Sequence, residues 1–296
     1  MRGLILVYLL SALLLAGCSD HQSRATNASV NSETISISNP VTIKLGESGP
    51  DFAKRYPSMV NVVHQPAGLD FYSMRWTQAP YGVLNVELRD HSFSVRNVLS
   101  VQSAQELGAL AGEGLYEFTF NAGITEPSPI THDEARIKTY EILADILRAG
   151  WKPIIPLSRP RLSGAARLSY ALNVSDSIGL DPSVVPTFEE WMRIESRTAW
   201  HFYSQGAYLS VSFTRERTLT DSTKPGAYML TFRIQTEAEY FRSYVESDDR
   251  PRWKALLPKV LPGLVMARQQ KEAELKAKGV SIDETYRDPP LPSLSE

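Results

Sequence analysis

From Val41 to Asn121 apolar and polar residues alternate in short runs, the period-two pattern of strands with one buried and one wet face. Residues 41–45 make the first run, which Gly46 ends, and a short helical stretch over 51–56 follows until Pro57 stops it. Residues 69–76, 81–89, 93–102 and 115–121 then predict an antiparallel meander. At Thr131 the period changes. Thr131-His132-Asp133-Glu134 has the spacing of a capping box, and Ile137, Tyr140, Ile142, Leu143, Ile146 and Leu147 give a helical stripe that Gly150 ends.

Residues 151–160, with Pro153, Pro156 and Pro160, break regular structure and read as a connection between two halves. Beyond it the plan repeats. A second capping box, Thr187-Phe188-Glu189-Glu190, opens a short helix, and residues 198–203 and 207–214 flank Ser204-Gln205-Gly206 as a hairpin. Residues 228–236 add a third alternating strand. The segments 76–89 and 200–215 share an aromatic, a turn, a Tyr and a strand, as a duplication would produce. Pro258 and Pro262 interrupt or kink the apolar run that starts at Trp253, and residues 267–278 predict a solvated helix with Glu272–Lys276 and Glu274–Lys278 pairs. The Pro-rich end, 288–292, predicts an extended or disordered tail. The pattern predicts an α+β protein with two similar lobes of antiparallel sheet with packed helices, 41–150 and 151–265, followed by a terminal helix and disordered tail over 266–296.

The first forty residues follow a different rule. Met1-Arg2-Gly3 is a short cationic start, residues 4–16 are almost wholly apolar, and the run ends at Gly17-Cys18, too short to cross about 30 Å of hydrocarbon. Residues 1–17 therefore read as a secretion signal, and the polar stretch to Pro40 as a flexible tether. Leu15-Ala16-Gly17-Cys18 resembles the lipobox of bacterial lipoprotein precursors, which implies cleavage between Gly17 and Cys18 and acylation (palmitate) of the Cys18 thiol. By the same resemblance Ser19, rather than Asp, after the cysteine implies an outer-membrane anchor facing the periplasm. Several acyl chains hold a protein nearly permanently where one holds it marginally.

Charge and cysteine content close several branches of chemistry. With 31 basic and 33 acidic side chains, a net −2, there is no basic excess to hold nucleic acid. Cys18 is the only cysteine, so acylation leaves no thiol for a disulfide, a redox pair, a nucleophile or a metal site. There is no G-x-S-x-G elbow, and Gly46-Glu47-Ser48-Gly49 reads as a turn. The five histidines never take metal-site spacing, although convergence of two of His64, His91, His132 and His201 with a carboxylate would make a hydrolase site. Glu189-Glu190 and Asp248-Asp249 are adjacent and point apart, and no G-K-[ST] follows the loop of Gly108, Gly112 and Gly114. No metal and no cofactor is expected, nor an enzyme.

Surface recognition remains. Trp76, Tyr81, Trp200, Tyr203 and Tyr208 lie near predicted strand ends and turns, and Arg215 and Arg217 offer a polar rim; these are the candidate partner-binding residues, since Trp, Tyr and Arg dominate binding hot spots. Their other reading is core and cross-strand packing. A lipid-anchored α+β body without a catalytic motif resembles the periplasmic immunity lipoproteins that guard against phospholipase effectors of type VI secretion systems, the resemblance resting on the lipobox and the layout. It implies that the chain neutralises a secreted effector by occluding its active site. The alternative is an envelope assembly or scaffold lipoprotein.

Overall fold

Every strand expected from the alternating runs forms, because each offers one apolar face to a common core. A computed structural model describes residues 40–294; the signal, Gly17, Cys18 and nearly all of the tether lie outside the described residues. The strands are β1 (Val41–Lys44), β2 (Asn61–Gln65), β3 (Leu69–Arg75), β4 (Gly82–Glu87), β5 (Phe93–Glu106), β6 (Glu117–Gly123), β7 (Lys152–Pro153), β8 (Ala199–Ser204), β9 (Ala207–Arg215) and β10 (Tyr228–Thr236). The helices are α1 (Gly49–Arg55), α2 (His132–Arg148), α3 (Gly164–Asn173), α4 (Phe188–Arg193), α5 (Glu237–Arg242) and α6 (Trp253–Ala277). The protein is α+β.

The two expected lobes share a single sheet. Its order is β1-β4-β5-β6-β10-β9-β8-β7, with the halves joined where β6 runs antiparallel to β10, and only β1 and β4 pair in parallel among the named strands. The 14-residue β5 serves two partners along one edge, β4 on its first part and β3 on its second, while β6 takes the other edge. Thus residues 76–89 comprise a loop and one strand, whereas 200–215 form an unbroken hairpin, so the two segments are not equivalent. The hairpin turns on Gln205 and Gly206, both at positive φ, the geometry of a two-residue turn matched to strand twist.

One sheet face is dry. Phe120 stacks on Phe232 at 4.7 Å, Trp191 of α4 on Phe213 at 4.6 Å, and Tyr140 of α2 meets Trp200 edge-on. The other face is polar: Ser73, Gln102, Thr119, Arg233, Ser210 and His201 lie side by side across six strands. Helices α5 and α6 cover part of the sheet, where Tyr208 stacks on Tyr240 at 3.6 Å beside Phe241, Trp253 and Leu257. Arg242, fully buried on α5, is held by Glu239 and Glu113, which compensate the loss of its water.

Three expectations change at the C-terminal end. Helix α6 is continuous through Pro258 and Pro262, which are exposed, so water reaches the carbonyls they leave unpaired, and Trp253, Leu257 and Leu275 bury its ends. The i,i+4 pairs do not form: Glu272 takes Arg161 in three hydrogen bonds, Lys276 takes Glu284, and Glu274 takes Lys271. The segment after α6 is irregular but fastened, through Asp288 to Arg268, Tyr286 Oη to the carbonyl of Ile155 and Asp283 N–H to the carbonyl of Arg161. Both capping threonines accept from the third helical N–H, but only at Thr187 is the box reciprocal; Glu134 faces Lys138 instead.

Candidate partner-binding cleft

The seven candidate partner-binding residues do not converge. Trp76 and Tyr81 flank the β3–β4 loop, and the Trp76 ring lies so close to Gly82 that a side chain there would collide with it. Trp200 is wholly buried beneath α2, so it reads the packing alternative rather than the surface one. Tyr208, 3% exposed, and the partly buried Tyr203 form an aromatic stack with Tyr240. Trp200, Tyr203 and Tyr208 serve the fold because they sit on strand positions packed against other aromatic and apolar side chains. Arg215 and Arg217 are different, since both line one cleft.

That cleft is built by the end of α4, the loop 194–198 and the start of the β9–β10 connection. The capping box at Thr187 starts α4, and Arg215 ends it: its guanidinium donates to the carbonyls of Trp191 at 2.8 Å and Met192 at 3.1 Å, where the helix dipole favours a cation. The same group donates to Tyr228 Oη at 3.1 Å and lies 5.6–5.8 Å from the rings of Trp191, Phe213 and Tyr228. Arg215 is therefore a buried positioning group, 8% exposed, not the rim residue expected.

Four arginines, Arg193, Arg197, Arg215 and Arg217, and one acid, Glu195, line the cleft, whose volume is about 530 Å³. Arg193 donates to Asn173 Oδ1 at 2.8 Å. Arg197 is held by its backbone, its N–H donating to the carbonyl of Phe213 at 2.8 Å and its φ at +76°, a conformation uncommon for a side-chain-bearing residue. Arg197 and Arg217 are exposed and have no ion-pair partner among the described residues. A fixed, buried cation thus stands behind two free guanidinium groups, each able to grip a carboxylate or phosphate in bidentate fashion. Sequence reasoning reached Arg217 but not Arg193 or Arg197, because a helix-end arginine and a positive φ leave no mark in the residue pattern. Beside the adjacent carboxylates Asp248 and Asp249, Arg250 pairs with buried Glu239.

The four described histidines occupy four separate settings. His64 Nδ1 lies 2.8 Å from Asp70 Oδ1, and His91 Nδ1 lies 2.5 Å from the buried Ser204 Oγ. His132 meets Tyr228 Oη and the carbonyl of Asp221, and burial pushes it below its ordinary pKa. His201 lies on the polar sheet face with no hydrogen bond to either ring nitrogen among the described residues. The two-histidine hydrolase site is therefore not assembled, and no group of three or more His, Cys, Asp or Glu able to hold a metal occurs among the described residues. Comparison with protein-family models, with curated proteins and with solved structures gave no match.

Proposed function

We propose that this chain is a lipid-anchored binding protein of the cell envelope that neutralises a secreted enzyme, by the lipoprotein resemblance a phospholipase effector, by holding an acidic part of it against the arginine cleft. The anchor is Cys18, at the outer membrane and facing the periplasm, and the chain itself performs no catalysis in this reading. The observation that carries it is the pair Arg197 and Arg217, exposed and unpaired on a rigid base in a chain whose net charge is −2. A local positive site on a mildly acidic protein selects acidic partners and steers their approach. A standard interface of about 1,200–2,000 Å² spreads well beyond the cleft, which forms its charged centre.

The test uses the chain from Ser19 onward as bait in lysate of its own cells with secretion systems induced. Residues 37–296 make one compact unit, so this form keeps the whole fold. Recovery of a secreted phospholipase whose activity is lost in the complex supports the proposal. Recovery of resident envelope components, with no enzyme inhibited, replaces it with the scaffold reading.

A further inference from the structure

The polar face of the sheet carries a second feature, which shares no residue with the arginine cleft. Where α5 roofs β8, β9 and β10, a cavity of about 160 Å³ is lined by His201, Ser210, Gln235 and Arg233 from the strands and by Tyr240 and Ser243 from the helix. Register explains the convergence, since Ser210 stands opposite both His201 and Arg233, and Gln235 stands opposite Tyr208 on the next row.

Gln235 is 8% exposed, yet its Oε1 has no hydrogen-bond partner among the described residues. A buried acceptor left unpaired is costly, so its presence asks for a donor from outside the described residues. His201 has both ring nitrogens free of partners among the described residues and lines the same space. Charge in the cavity is balanced, because Arg233 is paired with Glu117 at 2.6 Å and no carboxylate lines the walls. The volume is close to the roughly 150 Å³ of an engineered cavity that takes one benzene ring. Ile154 and the stacked Tyr208 and Tyr240 supply an apolar wall.

We propose that this cavity binds a single uncharged hydroxylated ring, of the monosaccharide class, through Gln235 Oε1, the His201 ring and the Ser210 hydroxyl. Adjacent hydroxyls donate to Gln235 and His201, Ser210 supplies a hydroxyl that both donates and accepts, and the C–H face of the ring packs on the tyrosine wall. Charged ligands are disfavoured because burial and the neighbouring Arg167 push His201 down to about 4, leaving it neutral at pH 7.

Saturation-transfer NMR on the full chain in a sugar-free detergent, with glucose, galactose and N-acetylglucosamine as probes, tests this. At least one sugar is expected to bind at millimolar or lower concentration. Gln235→Met should weaken it about tenfold, the loss of one good hydrogen bond, without lowering the melting temperature, because removing an orphaned acceptor does not harm the fold. Ser210→Val, which fills the cavity, should abolish binding, and it decides alone should Gln235→Met fail to fold. Absence of saturation for all three sugars at millimolar concentration, or binding that survives these substitutions, overturns the proposal and assigns the cavity to water.

Discussion

Arg167 is buried on α3 with its guanidinium on the carbonyls of Gly179, Ile154 and Ile178, and burial lowers its pKa to about 10. His201 feels that charge without contacting it, and burial first and Arg167 second hold its ring neutral. In the unfolded chain the ring titrates near 6.5, so from pH 6.5 down to about 4 the unfolded state binds the extra proton. The protein should lose stability across that window, by on the order of 2–3 kcal/mol from this residue at pH 4. His201→Gln should flatten the slope of melting temperature against pH; parallel curves for the two proteins would contradict the assignment. The sequence marks His201 only as a strand position, because its neutrality comes first from burial in the fold and second from Arg167, a residue 34 positions away brought in by α3. Likewise Trp200 and Tyr208 carry hot-spot chemistry in their residue type, and only the packing buries them, Trp200 on the dry sheet face under α2 and Tyr208 on the other face under α5.

At the scale of elements, α6 is secured by what it meets rather than by its own sequence. Its Glu272 is buried and triply bonded to Arg161, whose cation holds the carboxyl below its ordinary range. That bond is complete above pH 4.5 and is lost as the pH falls through the lowered value. Glu272→Ala should cost about 1–3 kcal/mol in urea unfolding and raise hydrogen exchange in the second half of α6; unchanged exchange there would show that the anchor is idle. Elements with strict alternation or a capping box were legible: β3 to β6, α2, α4, and the β8–β9 hairpin with β10. Others left weak signals. β2 is an edge strand, mostly exposed, and so has no apolar face to read. α3 starts at Gly164 without a side-chain cap bond, and α5 spans only six residues directly after β10. The fastening of the tail was hidden because Asp283 and Tyr286 find their partners in the segment before α3, far away in sequence, while Asp288 reaches back to Arg268 on α6.

For the whole molecule, attachment and recognition are separate properties. No helix among the described residues is long and apolar enough to cross a membrane, and the anchor in the proposal is Cys18, argued from the lipobox resemblance. Cys18→Ala should move the protein to the soluble fraction while its melting temperature stays unchanged; a variant that still sediments with membranes refutes the anchor. By the proposed function recognition belongs to the arginine cleft, of which sequence reading reached Arg215 and Arg217 but not Arg193 or Arg197, since the site exists only once α4, a positive-φ loop and the β9–β10 connection meet. The most direct measurement is calorimetric titration of the captured secreted phospholipase with the wild-type chain and with Arg197→Glu/Arg217→Glu. The account predicts binding weakened about a hundredfold, with steep salt dependence in the wild type and an unchanged melting temperature in the variant. Equal affinity of the two proteins for the enzyme would contradict it.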